Sequence, residues 1–275
     1  QNVEEPFFHS GGTVVTTPES LVDETRGIVV TAGEIIRENF EKPVAIKHKG
    51  SIDLVTETDL AVEHNLKERL GKLLPKADFL AEETASTVTP GPLTWIIDPI
   101  DGTTNYAHGF PFVAVSVALW ERDRVVMGIV HLPILKETFA AVRGRGAFLN
   151  GRPIHVSEQN VLQNALVATG FPYDIAQRVD PVLAMMRTVL LSCQGVRRAG
   201  SAAIDLAYTA CGRVDGFYEI GLKPWDTAAG WLLVEEAGGV VTQFDPVEEY
   251  SLGSFSILAA NPGLHGQLGE LLHKE

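Results

Sequence analysis

The stretch that decides the fold runs from Trp95 to Asn105 and is Trp-Ile-Ile-Asp-Pro-Ile-Asp-Gly-Thr-Thr-Asn. Its first three apolar residues predict a short buried strand that ends at Asp98. After Asp98 and Asp101, the last four residues favour a tight turn into a helix N-terminus, where unpaired backbone N–H groups can hold an anion. Acids beside an anion-binding turn indicate a hard cation that bridges the protein to phosphate. An Asx-turn with two capping acids is the alternative interpretation of the same residues.

The residues that follow predict an antiparallel meander of strands. Apolar and β-branched runs, separated by short turns, cover residues 112–120, 125–132 and 138–142. The region from residue 144 to residue 153 is rich in glycine and is expected to form turns.

Helices are predicted on both sides of this meander. The first is capped by Thr17 and ends near residues 41–43, and the second begins near Asp59 and is stopped by Pro75. In the C-terminal half the predicted strands are 166–169, 196–197, 214–218, 240–241 and 256–259, and the predicted helices are 175–191, 201–211, 225–237 and 264–272. This alternation predicts stacked layers of helices and sheets.

The charge and composition of the 275-residue chain exclude several classes of protein. A formal net charge of −13 makes nucleic acid an unlikely partner, because binding it needs basic residues. The basic clusters at residues 47–49 and 197–198 are interpreted as local. There is no run of about 18 apolar residues and no secretory signal pattern, so we expect no membrane span. Cys193 and Cys211 lack paired spacing, which favours a reduced cytoplasmic setting without a zinc site.

Further acids stand at the ends of other predicted elements. Glu82 and Glu83 follow a short apolar run, and their ordinary role would be a solvated strand edge. Asp59 and Asp226 stand at predicted helix starts, where their ordinary role would be N-caps. Taken singly, none of these acids identifies a site.

The spacing around Asp98 excludes two other kinds of cation or phosphate site. An EF-hand loop needs acids at positions 1, 3 and 5 and a glutamate at position 12. Counted from Asp98, those later positions hold Ile100, Gly102 and Gly109. The aspartate-nucleophile phosphatases use D-x-D-G-T, whereas this chain has D-x-x-D-G-T, which is one residue longer. A phospho-aspartate mechanism is therefore the weaker interpretation.

In order along the chain, these acids resemble the signature of the inositol monophosphatase family. The matching motifs are Asp53-Leu54-Val55-Thr56-x-x-Asp59, Glu82-Glu83, Asp98-x-x-Asp101-Gly-Thr, Arg198-x-Gly200-Ser201-Ala202-Ala203 and Trp225-Asp226. The resemblance implies a layered α/β fold, an αβαβα five-layer sandwich of the inositol monophosphatase and sugar phosphatase type. It also implies one catalytic domain over residues 17–275, with lobes of roughly 17–155 and 156–275, after an N-terminal extension of residues 1–16.

The resemblance also implies a set of metal ligands. Glu82, Asp98 and the main-chain carbonyl of Ile100 are expected to hold a first Mg²⁺, and Asp98, Asp101 and Asp226 a second. A third, weaker ion is expected near Glu82. Carboxylate and carbonyl oxygens suit Mg²⁺, and two such ions can clamp an in-line displacement.

Substrate and catalytic roles follow from the same resemblance. The phosphate is expected on Asp101 and on the N–H groups of Gly102 and Thr103, and the leaving group on Ala202 and Glu219. Thr103 and Asp59, with Glu82 nearby, are expected to orient and deprotonate a metal-activated water, without a phosphoenzyme. A carboxylate facing the substrate favours a neutral polyol over a second phosphate.

The expected reaction is hydrolysis of myo-inositol 1-phosphate by a cytoplasmic, lithium-sensitive homodimer. Phosphatases of the same superfamily that act on histidinol phosphate, fructose 1,6-bisphosphate or 3′-phosphoadenosine phosphate remain alternatives. A regulatory binding protein of the transcription or RNA machinery is the alternative from another class. Lys49 stands for the family's basic residue before Asp53, in a loop one residue shorter than in animal members, which leaves the third metal and the lithium response open.

Overall fold

The computed structural model describes residues 17–40, 42, 46–48 and 54–273, with only the backbone described at 46–48 and 54. The expectations for residues 1–16, Lys49 and Asp53 lie outside these ranges. The helices are α1 (Glu19–Asn39), α2 (Glu57–Leu73), α3 (Thr103–Ala107), α4 (Ile175–Leu190), α5 (Ala202–Ala210), α6 (Pro224–Glu236) and α7 (Pro262–Leu272). The strands are β1 (Ile46–His48), β2 (Leu54–Thr56), β3 (Asp78–Ala81), β4 (Leu93–Asp101), β5 (Ala114–Glu121), β6 (Arg124–Leu132), β7 (Glu137–Val142), β8 (Ala147–Leu149), β9 (Arg152–Ile154), β10 (Leu166–Thr169), β11 (Gly195–Arg197), β12 (Gly216–Ile220), β13 (Val240–Thr242) and β14 (Ser256–Ala260).

Helices and sheets alternate in five layers. Helices α1 and α2 pack on one face of a seven-stranded sheet, and α5 and α6 lie between that sheet and a five-stranded sheet. Helices α4 and α7 pack together and cover the far side of the five-stranded sheet. Separate groups of buried apolar side chains fill the spaces between the layers, and their removal from water stabilises the stack. The αβαβα sandwich expected from the sequence is confirmed.

The seven-stranded sheet has the order β3-β4-β5-β6-β7-β8-β9, in which β3 is parallel to β4 and the later neighbours are antiparallel. Helices cover both faces, so β4 is buried along nearly its whole length and carries an almost continuous apolar run. Helix α6 lies directly on the backbone of β6. A Cβ added at Gly128 would come within 2.8 Å of the carbonyl oxygen of Ala229, so only glycine permits this close approach.

The five-stranded sheet has the order β11-β10-β12-β14-β13. Strands β11, β10 and β12 are parallel, while β14 is antiparallel to both of its neighbours. Parallel neighbours need crossover connections. Helix α4 supplies the one from β10 to β11, and α5 supplies the one from β11 to β12. The C-terminal ends of β10 and β12 therefore share one edge of this sheet.

Several boundaries differ from the sequence-based expectations. Pro18 has extended backbone angles and is itself the N-cap of α1, so the expected cap by the Thr17 hydroxyl is wrong. Strand β4 continues to Asp101, because its pairing with β5 resumes there after an irregularity. Strand β5 begins at Ala114 instead of residue 112, and the glycine-rich region contains the short strands β8 and β9. Across the described ranges, no helix is long and apolar enough to cross a membrane.

Candidate active site

A β-bulge turns Asp98 and Asp101 toward the same side of the seven-stranded sheet. In a regular strand, residues three apart point to opposite faces. Here Asp98 pairs with Ser116 and Asp101 pairs with Ala114, so three steps along β4 match only two along β5. The extra residue restores a common direction for the two carboxylates. The two residues between the acids in D-x-x-D therefore include the extra residue of a bulge at the end of a buried strand.

The carboxylate of Asp101 connects β4 to the helix layer behind it. Its Oδ2 accepts hydrogen bonds from the Ser201 hydroxyl at 2.8 Å and from the Ala203 backbone N–H at 2.6 Å. Ser201 is also the N-cap of α5, as the sequence predicted, and its Oγ accepts from the N–H of Ile204 at 3.4 Å. The first turn of α5 is thereby fixed to the acid pair.

Gly102 makes the sharp turn from β4 into α3. Its φ of +99° lies in the left-handed region, and an added Cβ would come within 2.8 Å of the carbonyl oxygen of Phe112. Asn105, one turn later, donates through Nδ2 to the carbonyl of Phe112 at 2.8 Å and to that of Ala199 at 2.9 Å. This amide joins the turn after β4 to the segment that leads into α5.

Asp59 is paired with Thr103. The Thr103 hydroxyl lies 3.0 Å from Asp59 Oδ1 and 3.0 Å from the Ile100 carbonyl oxygen, both of which can accept its proton. The other oxygen, Oδ2, accepts from the N–H of Thr56 at 2.8 Å and contacts the Thr56 hydroxyl. Thr56 is the N-cap of α2 and Asp59 is the third helical residue of a capping box, so Asp59 is not itself the N-cap.

Glu82 follows β3 at the edge next to β4. Its N–H donates to the Ile97 carbonyl at 3.1 Å. The turn that carries it is held by the buried Glu63 of α2, whose carboxylate accepts from the N–H of Glu83 at 2.9 Å and from the Thr84 hydroxyl at 2.6 Å. Glu82 is half-buried, and its charge raises the pKa of the buried Asp98, which agrees with a role in the site.

Asp226 approaches from the opposite side of the site. It is the third residue of α6, and its Oδ2 accepts from the backbone N–H of Lys223 at 2.7 Å. Lys223 holds the N-cap position, so Asp226 does not take the ordinary N-cap role. The carbonyl of Trp225 accepts a hydrogen bond from the Ser116 hydroxyl at 3.3 Å, which joins α6 to β5 beside Asp98.

A cleft of about 120 Å³ contains most of the expected site residues. Its walls include Asp101, Gly102, Thr103, Ala202, Glu219 and Asp226. Glu219 lies in β12 and is 7% exposed, and its carboxylate rests against the backbone of Gly170, where an added Cβ would come within 2.1 Å of Oε2. A larger groove of about 710 Å³ lies between α1 and the β7–β8 edge, and none of the expected site residues lines it.

Burial and mutual repulsion raise the pKa of the carboxyl groups around this cleft. Burial raises the pKa of Asp98 well above its usual range, and the charges of Glu82, Asp101 and Asp226 raise it further. Burial raises the pKa of Asp101 to about 6, against the hydrogen bonds from Ala203 and Ser201. Burial, and then Asp101, likewise raise the pKa of Asp226. Like charges held together out of water are unstable unless a cation or protons offset them.

The donor set fits a hard cation. Carboxylates and the Ile100 carbonyl supply oxygen, which Mg²⁺ prefers. The Oδ1 atom of Asp98 is buried and has no hydrogen-bond partner, which leaves a buried lone pair for an ion. Within the described part of the chain, no three or more His, Cys, Asp or Glu side chains are arranged to hold a metal by themselves. The first expected set needs only two carboxylates beside the Ile100 carbonyl, whereas the three carboxylates of the second set, Asp98, Asp101 and Asp226, are not drawn together as a metal-holding group in this structure.

Sequence reasoning missed three residues that build the site. Glu63 shares a helical stripe with Leu66 and Leu70, and an acid on a buried stripe was the available signal. Ser201 was recognised as a helix cap but not as the partner of Asp101. Asn105 carried no signal, because its carbonyl partners lie in distant segments.

Comparisons with known proteins agree with this geometry. The family model described as "Inositol monophosphatase family" matches residues 18–275. "Inositol monophosphatase 2" of Solanum lycopersicum is 45% identical over 256 residues, covering 90% of this chain and 95% of that protein. "Nus factor SuhB" of Escherichia coli K12 is 42% identical over 234 residues, covering 84% of this chain and 87% of that protein.

Solved structures share the fold. The extragenic suppressor protein suhB of Bartonella henselae matches with a TM-score of 0.88 and 36% identity, over 93% of this chain and 99% of that one. The inositol monophosphatase of Anabaena matches with a TM-score of 0.84 and 36% identity, over 93% of this chain and 96% of that chain. The residues that the family model matches span the acid pair and the cleft, and the chain belongs to the inositol monophosphatase family.

Proposed function

We propose that this chain is a Mg²⁺-dependent phosphatase that converts myo-inositol 1-phosphate to myo-inositol and phosphate. Membership of the family supports a phosphatase. The observation that carries the finer proposal is the lining of the cleft, which includes Asp101 of the bulged acid pair together with Asp226 and the buried Glu219. Cation-binding and hydroxyl-binding carboxylates in one cleft suit a phosphorylated polyol.

The acids of the site would hold two to three ions. Glu82, Asp98 and the Ile100 carbonyl are assigned to one site, and Asp98, Asp101 and Asp226 to a second, with a third near Glu82. Bound Mg²⁺ supplies Lewis-acid stabilisation of the charge on the phosphoryl oxygens. The backbone N–H groups of Gly102 and Thr103 would then orient the phosphate, because both residues line the cleft and the N–H groups at the start of α3 have no partner within the helix.

Thr103 and Asp59 are assigned to the proton transfer. The hydroxyl donates to Asp59 Oδ1, so its lone pairs can accept a hydrogen bond from the attacking water. Burial raises the pKa of Asp59, and hydrogen bonds from Thr56 and Thr103 lower it again. A buried carboxylate with a raised pKa is suited to accept a proton. Glu82 assists from the adjacent turn.

The leaving group is assigned to Ala202 and Glu219. The small side chain of Ala202 leaves room for a ring at the start of α5. Glu219 can accept hydrogen bonds from hydroxyl groups, and its negative charge disfavours a second phosphate in the same position. This preference separates a polyol monophosphate from the bisphosphate substrates of the wider superfamily.

The experiment measures phosphate release from myo-inositol 1-phosphate, histidinol phosphate, fructose 1,6-bisphosphate and 3′-phosphoadenosine 5′-phosphate, with Mg²⁺ and with EDTA. We expect Mg²⁺-dependent turnover with the highest kcat/KM on the inositol ester. Asp98→Asn should abolish it, whereas Asp123→Asn, on an exposed turn, should not. A higher kcat/KM on another ester would contradict the substrate assignment, and full activity in EDTA would contradict the metal assignment.

A second candidate function is a regulatory one. Relatives at 42% identity carry the name "Nus factor SuhB", which allows this chain to act as a binding protein of the transcription or RNA machinery. Asp98→Asn separates the two functions, because it removes catalysis while a binding surface elsewhere persists. Homodimer formation, cytoplasmic location and lithium inhibition are further proposals that light scattering, fractionation and inhibition assays test directly.

A further inference from the structure

Arg198 brings a positive charge to a cleft that is otherwise lined by acids. It stands between β11 and α5 and forms part of the cleft wall. Its guanidinium carbon lies 4.9 Å from the centre of the Phe171 ring, within the range of a cation–π contact. A Cβ added at Gly200 would come within 2.9 Å of its Nη1, so one edge of the guanidinium rests on that backbone. The group is held on two sides although it is exposed.

The donor groups of Arg198 are not used by the described part of the chain, in which the guanidinium makes no hydrogen bond and no ion pair. Other arginines near the two sheets differ. Arg213 makes two hydrogen bonds to Glu137, and Arg143 bonds to the Val125 carbonyl and to Glu235. A held guanidinium with free donors is suited to bind a ligand.

Glu219 contacts the residue that precedes Phe171 in the chain. Its carboxylate rests against Gly170, and the next residue, Phe171, supports Arg198. Both side chains therefore contact the loop that follows β10, and both line the cleft together with Ala202. Burial, and then the charges of Asp205 and Asp101, raise the pKa of Glu219 well above its usual range, and the positive charge of Arg198 partly offsets this rise, which agrees with their closeness.

We propose that Arg198 is a specificity-determining residue that donates hydrogen bonds to the leaving group while Glu219 accepts one from it. This assignment rests on the proposed function. The substrate class that it selects is a phosphate ester whose leaving group presents two hydroxyls, one as donor to Glu219 and one as acceptor from Arg198. Phe171 acts as a positioning residue that keeps the guanidinium flat and turned to the cleft.

The rival interpretation is that Arg198 only balances buried negative charge. Asp205 on α5 is buried and its Oδ2 has no hydrogen-bond partner. Burial, and then the charge of Asp101, raise its pKa well above the usual range, and the charge of Arg198 partly offsets that rise. A purely balancing charge would affect all substrates equally, because it acts through the fold of the site. A ligand contact would affect only substrates that carry the contacted groups.

The test compares Arg198→Met and Arg198→Lys with wild type on myo-inositol 1-phosphate and on p-nitrophenyl phosphate, which lacks leaving-group hydroxyls. Arg197→Met is the matched control, because Arg197 is the exposed neighbour outside the cleft. We expect Arg198→Met to raise KM for the inositol ester about tenfold, with kcat nearly unchanged and p-nitrophenyl phosphate unaffected. The KM of Arg198→Lys for the inositol ester should lie between those of wild type and Arg198→Met, because lysine keeps the positive charge but lacks the planar guanidinium.

Equal losses on both substrates, or no change of KM on either, would overturn the assignment of Arg198. Thermal melts of each variant separate a folding defect from a binding defect, and Phe171→Leu gives a second approach with Arg198 intact. It should raise KM for the inositol ester by a smaller factor in the same direction. Wild-type turnover of the inositol ester tests the proposed function separately. If another polyol ester is preferred, the same variant ratios are measured on it.

Discussion

Replacing Ser201 by alanine would test how the acid pair is connected to the helix layer. The Ser201 hydroxyl has two roles at once, since it donates to Asp101 Oδ2 at 2.8 Å and accepts from the N–H of Ile204. Ser201 is 2% exposed, so water cannot replace the lost hydroxyl without rearrangement. Ser201→Ala removes both hydrogen bonds and leaves the Ala203 N–H on Asp101.

The expected loss of stability follows from these two contacts. A serine N-cap contributes about 1 kcal/mol, and a hydrogen bond to a charged group about 1.5–3 kcal/mol. Because the raised pKa of Asp101 means that the carboxyl is partly protonated without a cation, we expect roughly 2–3 kcal/mol in total. For a chain of 275 residues this corresponds to a fall in Tm of about 4 °C. Groups that orient a metal ligand typically change metal affinity about 10–100-fold, and the remaining N–H places this variant near the lower value.

Two assays separate these effects. Thermal denaturation in EDTA measures the structural loss, and the Mg²⁺ concentration for half-maximal phosphatase activity measures the orientation of Asp101. Ser157→Ala is the control, because the Ser157 hydroxyl donates to Asp215 Oδ1 at 2.6 Å, away from the cleft. It should lower Tm by a similar amount without changing the Mg²⁺ dependence. If Ser201→Ala changes neither quantity, or if Ser157→Ala shifts the Mg²⁺ dependence equally, the reasoning is refuted.

Three other perturbations have defined outcomes. Thr103→Val should lower kcat about 100-fold or more with little change in Tm, because it removes the hydroxyl beside Asp59. Thr103→Ser should keep most of the activity. Steady-state kinetics measure both variants, and a wild-type kcat for Thr103→Val would contradict the assignment. In EDTA, Tm should fall as pH rises from about 4 to 6, because burial raises the pKa of Asp101 to about 6 and the folded state holds a proton that the unfolded chain releases. Added Mg²⁺ should then raise Tm more at pH 7 than at pH 5, and an equal rise at both would contradict this account. Gly128→Ala should destabilise the protein by about 1–3 kcal/mol in urea titrations, whereas Gly27→Ala, with open space around it, should be neutral or stabilising; equal effects would count against the close contact of α6 with β6.

The layer architecture could be predicted from the sequence because its signals are local. The alternation of short apolar runs with helical spacing gave most element positions to within a few residues. The buried strand before Asp98 and the meander after it follow from period and turn chemistry alone. The order of the strands in the five-stranded sheet was not predicted, because which strands become neighbours across crossover helices leaves no local trace in the sequence.

The chemistry of single acids was harder to predict than the elements that carry them. An N-cap was the ordinary alternative role for Asp59 and Asp226, but both are third helical residues, and their carboxylates accept from the N–H groups of the N-caps Thr56 and Lys223. An acid at either position complements the unpaired N–H groups of the first turn, so composition alone does not separate the two. At the third position the carboxylate binds the N-cap N–H with one oxygen, which leaves the other for Thr103 or a cation.

The position of the cleft explains why its acids can remain close together. Asp98 and Asp101 come from the seven-stranded sheet, Glu219 from the five-stranded sheet, and Asp226 from the helix between them. The hydrogen bonds of Asp101 to Ser201 and Ala203 cross from one sheet to the helix layer, so the site forms only when the layers are packed. The free energy gained by burying apolar side chains between the layers therefore offsets the electrostatic repulsion among the acids. A bound cation would reduce that repulsion and so stabilise the folded protein. On this reasoning the stability of the metal-free protein and its Mg²⁺ affinity are coupled through the same carboxylates.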